Sequence, residues 1–135
     1  MTKKETAIRY FCEGYNCAQS VLLAFCEDYG LTKAQAACLS LPFGGGMGQM
    51  RETCGALTGA FMVLGLAEKA PRPPSAADKC ACYQKVRLLA DAFVAENGSM
   101  LCRELLQLAQ SGEKKKKSCP DLVGYVAEAL ESYLS

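Results

Sequence analysis

Apolar residues recur along this chain at helical spacing, and capping residues, glycines and prolines cut the pattern into about seven segments. Thr2 with Glu5 three residues on predicts a short amphipathic helix from Lys3 to about Cys12, stopped at Gly14. Asn16 with Gln19 predicts a second, with Val21, Leu22, Phe25 and Tyr29 on its apolar face, ending at Gly30. Thr32 with Gln35 opens a third, which must end before Pro42, because the residue preceding a proline disfavours helical dihedrals. A glycine-rich loop, Gly44-Gly45-Gly46-Met47-Gly48, leads into a fourth helix predicted from about Gln49 to Lys69. That helix carries Gly55, Ala56 and Gly59, small enough for another helix to pack closely against it, so it should sit centrally.

Pro71-Arg72-Pro73-Pro74 reads as a stiff extended connector, after which Ser75 with Asp78 opens a long fifth helix running to Asn97-Gly98. Ser99 is expected to cap a sixth helix that closes at Gly112, and Lys114 to Lys117 reads as a solvated loop. Cys119-Pro120-Asp121 then starts a last helix with one apolar stripe: Leu122, Val123, Val126, Ala127, Leu130 and Leu134. The predicted fold is therefore all-α, one multi-helix bundle of about six or seven helices.

Composition agrees with this pattern. Half of the 135 residues are hydrophobic but only 8% are aromatic, a balance that favours packed helices over sheets. The length fits a single cysteine-rich helical domain over residues 1–135. Fifteen basic against fourteen acidic residues leave no long-range field to draw the chain to nucleic acid or to an acidic membrane, so neither is an expected partner. The uncharged stretch from Thr53 to Ala67 falls short of the roughly 20 residues a spanning helix needs. The charged N-terminus, Met1 to Arg9, lacks the apolar core of a secretory signal, which leads to the expectation of a cytoplasmic protein.

Nine cysteines change the picture most. In a reducing compartment so many are not expected to form a structural disulfide framework, which leaves metal or cluster ligation, thiol redox chemistry, or use as a small apolar filler. Cys17, Cys54, Cys102 and Cys119 each fall near a predicted helix N-terminus, where unpaired N–H groups and the positive end of the macrodipole favour a thiolate and should lower its pKa. The remaining five, Cys12, Cys26, Cys38, Cys80 and Cys82, read as filler, with Cys80 and Cys82 the first exceptions to expect because they follow a flexible start. On a helix Cys80 and Cys82 would point about 200° apart, which makes a poor chelate.

Histidine is absent, which excludes histidine-ligated haem, mixed Cys/His zinc sites and any Ser-His or Cys-His pair. No Cys-x-x-Cys occurs either, so ligands distant in sequence would have to converge through the fold. An all-thiolate iron–sulfur cluster agrees best with this inventory. The backbone of Gly45, Gly46, Gly48 and Gly55 is a candidate cradle for it, since glycine permits close approach. Two alternatives stay open: a cofactor-free thiol–disulfide protein with Cys54 as the attacking thiolate, and a zinc-binding or interaction module.

Cys54-Gly55-Ala56-Leu57-Thr58-Gly59, together with Gly14-Tyr15-Asn16-Cys17-Ala18-Gln19, the glycine stretch and the downstream Cys102 and Cys119, resembles a family of small redox-active proteins named for four cysteines and a Cys-Gly-Ala-x-x-Gly motif. The resemblance implies a helical domain whose four named cysteines are Cys17, Cys54, Cys102 and Cys119. A related domain is similar to part of the split-Soret cytochromes c, dimeric proteins with an iron–sulfur centre besides haem. This chain lacks both the Cys-x-x-Cys-His attachment motif and histidine, so no haem is expected. What carries over is an iron–sulfur site, [2Fe–2S], in electron transfer or redox sensing, with a redox protein as partner and a homodimer as a further expectation.

Overall fold

A computed structural model describes residues 1–110 and 118–134. Among these, seven α-helices follow one another: α1 (Lys3–Cys12), α2 (Cys17–Phe25), α3 (Lys33–Ser40), α4 (Gly55–Glu68), α5 (Ala76–Asn97), α6 (Cys102–Gln110) and α7 (Cys119–Leu134). The described residues contain no strand, only an isolated antiparallel bridge between Thr53 and Leu101. None of their helices is long and apolar enough to cross a membrane. Gly112 and the lysine run from 114 to 117 lie outside the described residues.

Four of the caps read from the sequence close as side-chain hydrogen bonds, whereas Ser99 lies three residues ahead of the start of α6 and its hydroxyl instead accepts from the Leu101 amide and donates to Glu104. Thr2 accepts from the Glu5 amide. Asn16/Gln19, Thr32/Gln35 and Ser75/Asp78 form reciprocal capping boxes, each satisfying two donors at a helix start. Gly30 and Gly98 take the left-handed conformation after α2 and α5, with φ of 80° and 94°. The end of α2 tightens into a 3₁₀ turn over Cys26–Tyr29, and a second such turn, Leu41–Phe43, accommodates Pro42 after α3.

Helix α2 is the axis of the fold. Every residue from Ala18 to Phe25 is buried, and the helix touches α1, α3, α4 and α7. Its closest neighbour is α4, where a Cβ added at Gly59 would stand 2.6 Å from the Ala18 carbonyl oxygen. The backbones of the two helices thus meet with no side chain between them. Helix α7 lays the stripe Leu122, Val123, Val126, Ala127 and Leu130 into the same core. The long α5 contributes Leu89, Phe93 and Asn97, four residues apart on one face.

Two expectations are corrected. Helix α4 starts at Gly55 rather than near Gln49, because residues 45–49 and Arg51 all carry φ between 59° and 72°. Left-handed backbone cannot enter a right-handed helix, and Cys54 is therefore the N-cap. The second correction concerns the cysteines read as filler. Cys26 is fully buried, but Cys12, Cys38 and Cys80 are exposed and Cys82 is half-buried. The first two fall at helix ends, and Cys80 and Cys82 lie in early turns of α5, ahead of the face that begins at Leu89.

Candidate functional site: four helix starts around one cavity

Each of the four singled-out cysteines stands at the start of a helix. Cys17, Cys102 and Cys119 are the first residues of α2, α6 and α7, and Cys54 is the N-cap of α4. All four line one cavity of about 200 Å³. Its other walls are the backbone of Gly45, Gly46 and Gly55, the apolar side chains of Leu105, Leu106, Ala109 and Leu122, and Arg51 and Ser118.

Local structure explains how distant segments arrive together. The α2–α4 approach brings Cys17 against the start of α4, where a Cβ on Gly55 would lie 3.1 Å from the Cys17 Cβ. A short stretch of antiparallel pairing aligns the start of α6 with that of α4. In it the Cys54 amide donates to the Met100 carbonyl at 2.8 Å, the Cys102 amide to the Glu52 carbonyl at 2.6 Å, and the Arg103 amide to the Arg51 carbonyl at 3.2 Å. Ser118, ahead of α7, donates both its amide and its hydroxyl to the Asp121 carboxylate, which fixes the chain at Cys119.

The glycine loop supports the site from below. A Cβ on Gly46 would fall 2.7 Å from the Cys102 Cβ and 2.7 Å from the Glu52 nitrogen, so only glycine fits there. Its φ of 72° adds a second reason. Gly48 behaves differently from its neighbours: it does not line the cavity, and its N–H is spent on the Pro42 carbonyl at 2.7 Å. The candidate cradle therefore contracts to Gly45, Gly46 and Gly55.

Cys17, Cys54 and Cys119 do not share one ionisation behaviour, contrary to the uniform lowering expected at helix starts. The Cys17 thiol hydrogen-bonds the Cys119 sulfur, and this holds Cys119 down to about 6, against burial and with help from the Arg51 charge. Cys17 is driven far above the ordinary thiol range, first by serving as that donor, then by burial and by the three other sulfurs. Burial pushes Cys54 up to about 11, although the Ala56 and Leu57 amides at the start of α4 pull the other way. A thiolate gains from a helix N-terminus, but only water or a countercharge offsets the loss of hydration, and Cys54 is 5% exposed. Burial therefore disfavours a Cys54 thiolate, whereas the contact with Cys17 favours one at Cys119.

A family model described as "Putative redox-active protein (C_GCAxxG_C_C)" matches residues 15–133. The chain belongs to this family. The match takes in all four helix-start cysteines and the glycine loop of this C_GCAxxG_C_C protein. No curated protein and no solved structure matches the chain significantly.

Four thiols, three glycines and no imidazole make a donor set suited to soft, thiolate-bound iron. As the side chains stand, no three His, Cys, Asp or Glu groups among the described residues are arranged as they would be around a metal ion. The Cys17–Cys119 hydrogen bond closes two of the thiols on each other. Two participants escaped the reading of the sequence. Ser118 had a visible signal, the Ser-x-x-Asp pattern before an apolar helix. Arg51 had none, because its place at the cavity depends on the left-handed loop.

Proposed function

We propose that this C_GCAxxG_C_C protein is a redox protein in which Cys17, Cys54, Cys102 and Cys119 hold a [2Fe–2S] cluster for electron transfer or redox sensing with a partner protein. The observation that carries the reading is that four helix starts, from four separate parts of the chain, place four sulfurs on one cavity backed by glycine. Such a cluster would supply a one-electron couple. The chain's own part is to deliver thiolates, to present the Gly45 and Gly46 backbone to them, and to keep bulk water away with Leu105, Leu106 and Leu122. Ligation requires the Cys17–Cys119 hydrogen bond to open, and metal binding then displaces the remaining thiol protons.

A second reading is favoured by that same hydrogen bond: Cys17 and Cys119 as a dithiol that closes to a disulfide. The Cys119 thiolate would attack a disulfide oxidant such as oxidised glutathione, and Cys17 would resolve the mixed disulfide. Two electrons pass to the oxidant, which leaves as two thiols.

Protein purified without oxygen and reconstituted with iron and sulfide separates the two. The cluster reading expects equal iron and sulfide, a visible charge-transfer spectrum, and loss of both in alanine variants at any of the four positions but not at Cys38. A colourless, iron-free product that forms one Cys17–Cys119 disulfide would refute it and establish the dithiol. One zinc per chain without a redox-dependent spectrum would refute both.

A further inference from the structure

We infer that Arg51 sets the reduction potential of the cysteine site: its guanidinium, aimed at Cys102 by a left-handed backbone, favours the form of the site that carries the additional electron. The inference rests on the redox reading of the four thiols, but not on whether iron or a disulfide takes up the electrons.

Arg51 carries the only charge other than the thiols among the described residues that line the cavity. Its Nη1 donates to the Cys102 sulfur at 3.6 Å, and its charge also reaches Cys119. The neighbouring guanidinium is occupied elsewhere, since Arg103 pairs with Glu52 at 3.3 Å and donates to the Arg51 carbonyl at 3.3 Å. None of the ion pairs among the described residues includes Arg51, so no carboxylate among those residues is paired with its charge at the site.

The backbone holds this side chain in place at some cost. Arg51 has a φ of 62°, a conformation that glycine or asparagine takes far more easily. Its amide donates to the Gly45 carbonyl at 3.1 Å, and its carbonyl accepts from the Arg103 amide. A Cβ on Gly46 would come within 2.9 Å of the Arg51 Cα, so the glycine makes room for the arginine. Strain kept at a residue whose charge meets a sulfur of the candidate site is the pattern of a functional position.

The chemical consequence follows from charge balance. A one-electron carrier protein adds one electron, and hence one negative charge, to a metal-loaded site and is itself oxidised by one electron; no bond to Arg51 forms or breaks. In a disulfide couple, two electrons from a dithiol break the S–S bond, leave two thiolates that take up protons as their acidity dictates, and turn the reductant into a disulfide. A fixed positive charge beside the sulfur favours the more negative product in both cases. Because Arg51 is exposed, water and salt screen it, and the effect should be roughly tenfold in the redox equilibrium rather than several orders of magnitude.

The test compares wild type with Arg51→Gln, Arg51→Lys and Arg51→Gly by redox titration of the reconstituted protein, followed by visible absorption. Arg51→Gln should lower the potential by the equivalent of roughly tenfold, 59 mV for one electron, and Arg51→Lys should retain most of the wild-type value. Arg51→Gly should show the same drop while its melting temperature holds or rises, because glycine relieves the left-handed strain; a purely structural role would move only the melting temperature. Equal potentials across the series would overturn the inference. If wild type takes up no iron, the cluster reading fails, and the same variants are compared by equilibrating their disulfide with glutathione buffers. There Arg51→Gln should again favour the oxidised form, and equal potentials would again overturn it.

Discussion

Replacing Gly59 by alanine tests how far the site depends on the contact between α2 and α4. The added methyl would stand 2.6 Å from the Ala18 carbonyl oxygen, 3.2 Å from the Ala18 Cα and 3.2 Å from the Val21 Cβ. The first two are backbone atoms that no rotamer change can move, so α2 must shift away. Inserting a methyl into such a contact costs about 1–3 kcal/mol. Replacing glycine within a helix returns roughly 1 kcal/mol by restricting the unfolded chain. The net loss alone would be hard to interpret, but α4 contains its own control. Gly65 lies in the same helix, is exposed, and has nothing within 4 Å of an added Cβ. Gly65→Ala therefore receives the same gain without the clash, and the difference between the two variants isolates the packing cost. Urea denaturation of the reduced protein should find Gly65→Ala slightly more stable than wild type and Gly59→Ala about 1–3 kcal/mol less stable than Gly65→Ala. Because Ala18 adjoins Cys17 and α4 begins beside Cys54, the proposed cluster would also be retained less well in Gly59→Ala after reconstitution. Equal stability of the two alanine variants would refute this account of the interface.

Two further outcomes follow from the helix starts. Asn16→Ala removes the acceptor of the Gln19 amide and the donor to the Leu41 carbonyl, and should cost about 1 kcal/mol in a urea titration; no measurable loss would mean that the box does not hold the start of α2. In iron-free reduced protein, alkylation of Cys119 followed by peptide mass spectrometry should rise with pH to a midpoint near about 6, and Cys17→Ala should move that midpoint up toward the ordinary 9.0; an unmoved midpoint would remove the hydrogen bond as the cause. With its folded pKa depressed, Cys119 contributes stability that is present above pH 9.0 and lost as the pH falls through about 6, while Cys17, raised by the same contact, acts in the opposite sense as the pH rises past 9.0.

The all-α class and the starts of α1, α2, α3 and α5 were legible because caps act locally. Asn16, Thr32 and Ser75 each bond an amide three residues on, and a three-residue relation is readable from the sequence. The association of Cys17, Cys54, Cys102 and Cys119 with helix starts was legible for the same reason. The boundary of α4 was not. Its start depends on left-handed dihedrals at Met47, Gln49 and Arg51, residue types that rarely adopt them and so give no local warning. The exposure of Cys12, Cys38 and Cys80 was equally hidden, since it depends on which face of each helix meets a neighbour. Ionisation was the least legible property. A helix start argues for a thiolate, yet the deep burial of Cys54 and the direction of the Cys17–Cys119 hydrogen bond decide the outcome, and both are tertiary facts.

The same tertiary facts explain why the site is built from helix starts instead of a compact motif. A Cys-x-x-Cys loop can organise its thiols with little help from the rest of a protein, whereas here each sulfur owes its place to a different contact. Cys17 depends on Gly55 and Gly59, Cys102 on Gly46 and the pairing beside Thr53, and Cys119 on Ser118 and Asp121. The glycine contacts are intolerant of added volume, and the others are short-range hydrogen bonds. Loosening any of them should therefore separate one sulfur from the other three before the global fold is lost. It follows that redox competence should fail at lower denaturant concentration than helix content, with the segment from Ser99 to Gln110 the first to release its cysteine, because α6 buries a single residue, Leu105.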